Sequence, residues 1–426
     1  MAETLVQPRS VTRLQWIALA LLVISVSINY IDRGILAVAA ATPEFRTDMS
    51  FSDPELGLLF SAFFWSYALL QLAAGWLLDR YDVNRLYAAG FLLWSLVTLA
   101  MGLVSGFAAL LLLRILLGAG EALAYPSISK IVASEFPEER RGWANSLVDA
   151  GSRSGPAIGV LLGGVVVAQF GWRALFVSAG AFSLLWLLPW FWYMRRAPSP
   201  SAAQKVRQTK GGVPALQILR TRQAWGTIIA LFCFNYTWVF MLSWLPSYLV
   251  KERHFSTQMM AIFGSIPFWG IAVLCALCGW ISDRMVERGG RPSRVRMGFV
   301  VTGLLLPNLM LPVALLRNDV IAMILLTLAC AGTGLASSNF WAVTQTLAGP
   351  QAAGKWVGLQ NGMGNFAGML GPYVTGVLVA RTGSYFIPFL AACASTTIGA
   401  FAYLFLVREM KPIDWDAATE RNGGGG

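Results

Sequence analysis

Six ionisable side chains stand inside long apolar runs of this 426-residue chain: Asp32, Arg33, Arg114, Glu121, Asp149 and Arg153. A charge near the centre of a hydrocarbon layer costs about 2.5–3.5 kcal/mol even on lenient scales, so each needs a partner, a watery cavity or a task. A guanidinium is a permanent, planar fork that matches a carboxylate. A buried carboxylate can take up or release a proton as its neighbours change. Anion binding and proton exchange are thus the chemistry that these groups can perform together. All six lie in the first half. The second half places neutral polar groups in its apolar runs, among them Asn235, Asn339, Gln360, Asn361 and Asn365.

Helical spacing sets which of these groups can meet. Arg114 and Glu121 are seven residues apart, on one face but separated by a rise of about 10 Å, so each needs a partner from elsewhere. Asp32 and Arg33 are adjacent, point about 100° apart and cannot neutralise each other. The expected arrangement sets Asp32 opposite Arg114 and leaves Arg33 free for an anion. Asp149 and Arg153 are four apart, which leaves two readings: an ion pair on one helix, or Arg153 turned to a cavity as a second anion contact. Tyr67 and Gln71 lie one turn apart. Aromatic Tyr30, Tyr67, Tyr125, Tyr236, Trp238 and Trp341 are candidates to line a central pocket.

The elements that must position these groups are membrane-spanning helices. The chain is 56% hydrophobic and only 12% charged, against roughly 25% charged residues in a soluble protein. Twelve apolar runs are long enough to cross a bilayer: 14–41, 55–78, 86–105, 107–135, 142–168 and 174–195, then 223–250, 256–282, 295–316, 319–347, 355–380 and 385–407. The first is too long for a cleavable signal core. Basic residues between 195 and 222 mark a linker. The expected organisation is a first six-helix bundle over 1–196, a linker over 197–222, a second bundle over 223–408 and a tail over 409–426.

The formal charge of +11 would suggest nucleic-acid binding in a soluble protein, but its distribution argues otherwise. With the N-terminus in the cytoplasm, 23 of the 32 Lys and Arg fall on that side, which places both termini in the cytoplasm of a multi-pass inner-membrane protein. The five Cys fall inside apolar runs and give no disulfide framework; Cys275-Ala-Leu-Cys278 lacks a second pair and a nearby His, so no metal is expected. Neither a His-Glu-x-x-His sequence nor a Walker-type loop occurs, so neither an enzyme nor an ATP-driven pump is expected, and no cofactor. Lone His254 reads as a surface residue.

An internal repeat divides the chain. Gly75-Trp76-Leu77-Leu78-Asp79-Arg80 ends the second run, and Gly279-Trp280-Ile281-Ser282-Asp283-Arg284 ends the eighth, 204 residues later. Gly155-Pro156 and Gly371-Pro372 echo each other in the fifth and eleventh. With Asn29-Tyr30-Ile31-Asp32-Arg33 and the Arg114–Glu121 spacing, the whole chain resembles the major facilitator superfamily, and within it the anion:cation symporters that include sugar-acid permeases and vesicular glutamate-type carriers. Two departures stand out. Asp82 occupies the place of a usual Gly after the second run, and Arg153 falls where relatives carry small neutral residues.

The resemblance implies an all-α membrane protein of twelve helices in two pseudo-symmetric bundles that carries an organic acid anion, a sugar acid first, together with protons. Arg33, Tyr30, Tyr67, Gln71, Tyr125, Arg153, Asn235, Trp238, Asn339, Trp341, Gln360 and Asn361 are the expected cargo contacts. Asp32, Glu121 and Arg114 are expected to couple protons, and Asp79, Arg80, Arg85, Asp283 and Arg284 to lock the cytoplasmic gate. A monomer in the bilayer is expected, with no nucleic-acid partner. A proton-coupled exporter of drugs or organic anions is the closest rival reading; a membrane enzyme or receptor leaves the duplicated gate sequence unexplained.

Overall fold

The computed structural model describes residues 12–196 and 213–415. The expected linker, and the tail beyond 415, fall largely outside the described residues. Everything long is helical: α1 (Arg13–Ala40), α2 (Pro43–Met49), α3 (Asp53–Arg80), α4 (Val83–Met101), α5 (Phe107–Glu121), α6 (Ala124–Glu135) and α7 (Glu138–Met194) form the first half. The second contains α8 (Ala215–Leu219), α9 (Arg222–Lys251), α10 (Thr257–Glu287), α11 (Pro292–Leu305), α12 (Met310–Leu315), α13 (Asp319–Thr382) and α14 (Phe386–Ala402).

Local chemistry sets the helix limits. Thr12 with Gln15, and Ser52 with Glu55, close reciprocal caps that satisfy the first free amides of α1 and α3. The two longest helices each make two passes. α7 turns back at Gly171 (φ 80°) and α13 at Gly349 (φ 62°), in a backbone region that a side chain would strain. α5 and α6 are one pass interrupted at Ala122 and Leu123, and α11 continues through a tight turn at Leu306–Leu309 into α12. Among the described residues the chain therefore makes twelve passes, with limits within a few residues of the apolar runs.

Large apolar side chains such as Phe170, Phe182, Leu188 and Leu315 are exposed around the perimeter. Such a belt is stable only against lipid, where helices satisfy their own backbone groups. Inside the first half, Trp186 stacks between Phe91 and Trp190, with centroids at 4.0 and 5.0 Å, and donates to the Leu21 carbonyl. This cluster fastens α1, α4 and α7. In the second half Trp356 donates to Thr227 at 3.0 Å and Trp244 to the Pro372 carbonyl, tying α13 to α9.

The halves meet unevenly. The near end of the molecule holds Thr12, Arg80 and Val407; the far end holds Ala41–Ser52 and Glu252–Ser256. At the far end α3 and α13 run antiparallel in contact, so close that a Cβ on Gly57 would lie 2.5 Å from the Pro372 carbonyl. Phe60 packs edge-on against Trp244 of the other half at 5.6 Å. Toward the near end Gly354, Gly358 and Gly362 of α13 face open space. The molecule is closed at the far end and parted at the near end.

Candidate functional site

A cavity of about 330 Å3 lies between the halves. Ten of the twelve expected cargo contacts line it: Tyr30, Arg33, Tyr67, Gln71, Tyr125, Arg153, Asn235, Trp238, Trp341 and Asn361. Asn339 and Gln360 do not. Gln360 is fully buried within the second half, accepting from Thr344 and donating to the Thr227 carbonyl. The reason is rotation. Asn361, Asn365 and Gly368 share the cavity face of α13, and Gln360 points about 100° away; likewise Ser337 and Trp341 share a face that Asn339 does not.

Arg33 is the centre of the first-half wall. Its Nε donates to Glu121 Oε2 at 2.7 Å, with the Glu121 side chain fully buried. Three rings surround the guanidinium carbon, with centroids at 4.7 Å for Tyr30, 4.9 Å for Phe63 and 4.6 Å for Tyr67. The faces of these rings attract a cation and fix its plane. Gln71 donates to Tyr67, and Tyr125 to Tyr30, so the hydroxyls form a polar rim beside the arginine. α7 reaches α1 closely here, since a Cβ on Gly155 would lie 2.7 Å from both the Ser27 carbonyl and Tyr30 Cβ.

The expected pairing of Asp32 with Arg114, leaving Arg33 free, is corrected by this geometry. Arg114 Nε donates to the Leu59 carbonyl at 3.1 Å and its guanidinium lies over Phe63 at 5.3 Å. Asp32 is buried facing Thr98, and neither of its oxygens has a full hydrogen bond among the described residues. The helix faces permitted both exchanges; the depth of α5 against α1 decided it, bringing Glu121 rather than Arg114 to the first helix.

Asp149 and Arg153 make the same-helix contact that spacing allows, but loosely, at 3.7 Å. Ser152 donates to Asp149 and the Cys275 thiol approaches it at 3.8 Å from the other half. Arg153 lies over Trp238, also from the other half, at 5.5 Å. Phe64, Leu242 and Gly368 line the cavity too; nothing polar in the sequence marks them.

The expected near-end gate residues are not paired across the halves among the described residues. Arg80 lies over Trp76 and Arg284 over Trp280, each within its own helix. The Arg85 amide is capped by Asp82, and Asp283 pairs with Arg296 of its own half. The Asp79 side chain lies outside the described residues.

A cross-half ion pair forms instead at the far end. Lys251 Nζ, ending α9, donates to Asp53 at 2.8 and 3.1 Å, and Arg46 of α2 braces the same carboxylate at 2.9 Å. Burial raises the Asp53 carboxyl, but the hydrogen bonds and charges of Lys251 and Arg46 outweigh it and hold the group below its ordinary value. For Lys251 burial prevails over Asp53, and the ammonium is held below its ordinary value.

The Major Facilitator Superfamily profile matches residues 22–372. The chain is 32% identical to the probable sulfoacetate transporter of Cupriavidus necator, covering 89% of this chain and 90% of that protein. It is 30% identical to the hexuronate transporter of Bacillus subtilis, over 91% and 92%, and 30% identical to the D-galactonate transporter of Escherichia coli, over 94% and 97%. In fold it is similar to a bacterial homologue of the human lysosomal transporter Spinster in an inward-facing, unoccupied conformation, with a TM-score of 0.74 over 94% of this chain, 96% of that one and 20% identity. With twelve passes around a charged central cavity, the chain belongs to the Major Facilitator Superfamily and, within it, to the anion:cation symporters: it is a membrane transporter and not an enzyme.

Proposed function

We propose that the protein takes up an organic acid anion together with protons by alternating access, as a monomer in the cell inner membrane. Both termini then lie in the cytoplasm, in keeping with the excess of Lys and Arg at the near end. In that orientation the structure is open inward and latched outward. The observation that carries the reading is the buried Arg33–Glu121 pair at the cavity wall. Arg33 is the cation best placed for a carboxylate, yet Glu121 already holds it.

A proton on Glu121 removes the charge that competes for Arg33. Cargo and proton therefore favour each other, because each relieves a cost that the other would face alone. Asp32, buried without a basic partner among the described residues, is the second candidate carboxylate; one proton there removes a buried charge. Arg114, held by the Leu59 carbonyl and Phe63, keeps the Glu121 region positive while Arg33 is occupied by cargo. Sugar-acid cargo is supported by the named relatives and by the neutral donors Gln71, Asn235 and Asn361, suited to hydroxyl groups.

The test is uptake into proteoliposomes. An inward proton gradient should drive accumulation of a labelled acid such as D-galactonate, and an uncoupler should abolish it. Glu121→Gln should lose gradient-driven accumulation while keeping one-for-one exchange of cargo, because only the proton's site is gone. Accumulation by the wild type without a gradient, or gradient-driven accumulation by Glu121→Gln equal to wild type, would refute the coupling. Accumulation favoured by an outward proton gradient would favour the exporter reading.

A further inference from the structure

The cavity holds two arginines of unequal engagement. The Arg33–Glu121 contact is a short, charge-assisted hydrogen bond. The Arg153–Asp149 contact, at 3.7 Å, exceeds hydrogen-bond length. Arg153 Nε is buried with no hydrogen-bond partner among the described residues, and a guanidinium carries five N–H donors. Asp149 meanwhile has its own donor in Ser152, and its side chain is half exposed. Arg153 is thus a cation with capacity to spare, pointed into a cargo cavity and backed by the Trp238 ring of the opposite half. Trp238 is itself held edge-on by Phe268 at 6.0 Å, so the backing surface is firm.

A cargo with one acid group would use Arg33 and leave this second charge to water. We propose that the Arg153–Trp238 corner is a subsite for a second acid group, and that the cargo is a compact dianion bridging Arg33 and Arg153. The assignment rests on the organic-anion reading above and narrows it. A cavity of about 330 Å3 suits a short skeleton, at the small end of ligand sites. The second group is a carboxylate or a sulfonate; both present coplanar or near-coplanar oxygen pairs to a guanidinium. Placed there, the second acid also touches a wall built by both halves, so its binding energy is available to draw them together.

The experiment measures affinity of the purified protein by calorimetry for two matched pairs: galactarate against D-galactonate, and sulfoacetate against glycolate. The wild type should prefer the dianion of at least one pair by about tenfold or more, the value of one charge-assisted contact. Whichever pair shows the preference identifies the second acid as carboxylate or sulfonate. Arg153→Gln should bring that ratio to about one. Asp149→Asn should raise it above wild type by freeing Arg153, a gain that a damaged fold cannot imitate. A wild-type ratio near one in both pairs, or a preference that survives Arg153→Gln, overturns the subsite while leaving Arg33-dependent binding of monoacids intact. Binding of none of the four acids, or binding indifferent to Arg33→Gln, would sink the organic-anion reading itself.

Discussion

Asp53→Asn removes the carboxylate that Lys251 of the other half holds at the far end. Its carboxylate is 16% exposed and receives two hydrogen bonds from Lys251, which is 33% exposed. Hydrogen bonds to charged groups contribute about 1.5–3 kcal/mol when buried, and exposed ion pairs only about 0.2–1. For this partly screened pair about 1.5–2 kcal/mol is reasonable once the Asn amide keeps one weak contact. That energy is present only while the far end is closed. Its loss should shift the population of far-end-open molecules about 10- to 30-fold. Ser61 offers a reporter: it is fully buried on α3, one turn from Gly57, and cysteine nearly matches it in size. In a background without native cysteines, Ser61→Cys should react with an impermeant maleimide about 10–30 times faster when Asp53→Asn is added. Lys251→Gln should act in the same direction. Unchanged reaction rates in both would show that apolar packing alone closes this end.

The latch should also weaken at its acid limit. Because the Asp53 carboxyl is held low, its contribution persists down through the ordinary carboxylate range and is lost only as pH falls through the depressed value. Because burial holds the Lys251 ammonium low as well, loss of its proton on the alkaline side favours the closed far end rather than opening it. Ser61→Cys labelling should therefore be flat between pH ~5 and ~8, after correction for maleimide chemistry, and a midpoint inside that window would contradict the assignment. Asn361→Leu should weaken cargo binding about tenfold, a lost polar contact, whereas Gln360→Leu should act on thermal stability, since it breaks the ties to Thr344 and Thr227. Gly155→Ala should lower stability by about 1–3 kcal/mol, because its methyl would lie 2.7 Å from Tyr30 Cβ; an unchanged melting temperature would mean that α1 and α7 can part.

What the sequence made legible was depth and face, not pairing. Asp32, Arg33, Arg114 and Glu121 stand out as charges in apolar runs, and the structure gathers three of them around Phe63, Leu59 and the cavity wall. Which carboxylate holds which arginine depends on the axial offset between α1 and α5, which no local pattern records. Gln360 and Asn361 are neighbours on one helix and point about 100° apart, and composition gives no phase to say which of them faces the cavity. The far-end latch was silent for another reason. Arg46, Asp53 and Lys251 lie at helix ends, where charges are ordinary, and the partners Asp53 and Lys251 are 198 residues apart. Fold class survived all this because bilayer thickness sets the length of a spanning helix, so the apolar runs of that length can be counted.

The uncovered glycines of α13 carry a further consequence. Contact between α3 and α13 descends in register from Gly57 beside Pro372, through Phe64 beside Gly368, to Gln71 beside Asn365. Continuing that progression by two more turns of α3 would bring Leu78 toward Gly362. A strip without side chains, at positions 354, 358 and 362, lets two backbones come together with no rotamer to rearrange, so the docking step asks for almost no ordering of the surface that receives it. A single bulky wedge such as Gly358→Leu should then hold the jaws ajar on that side, turning a carrier that cycles into one that binds and stalls.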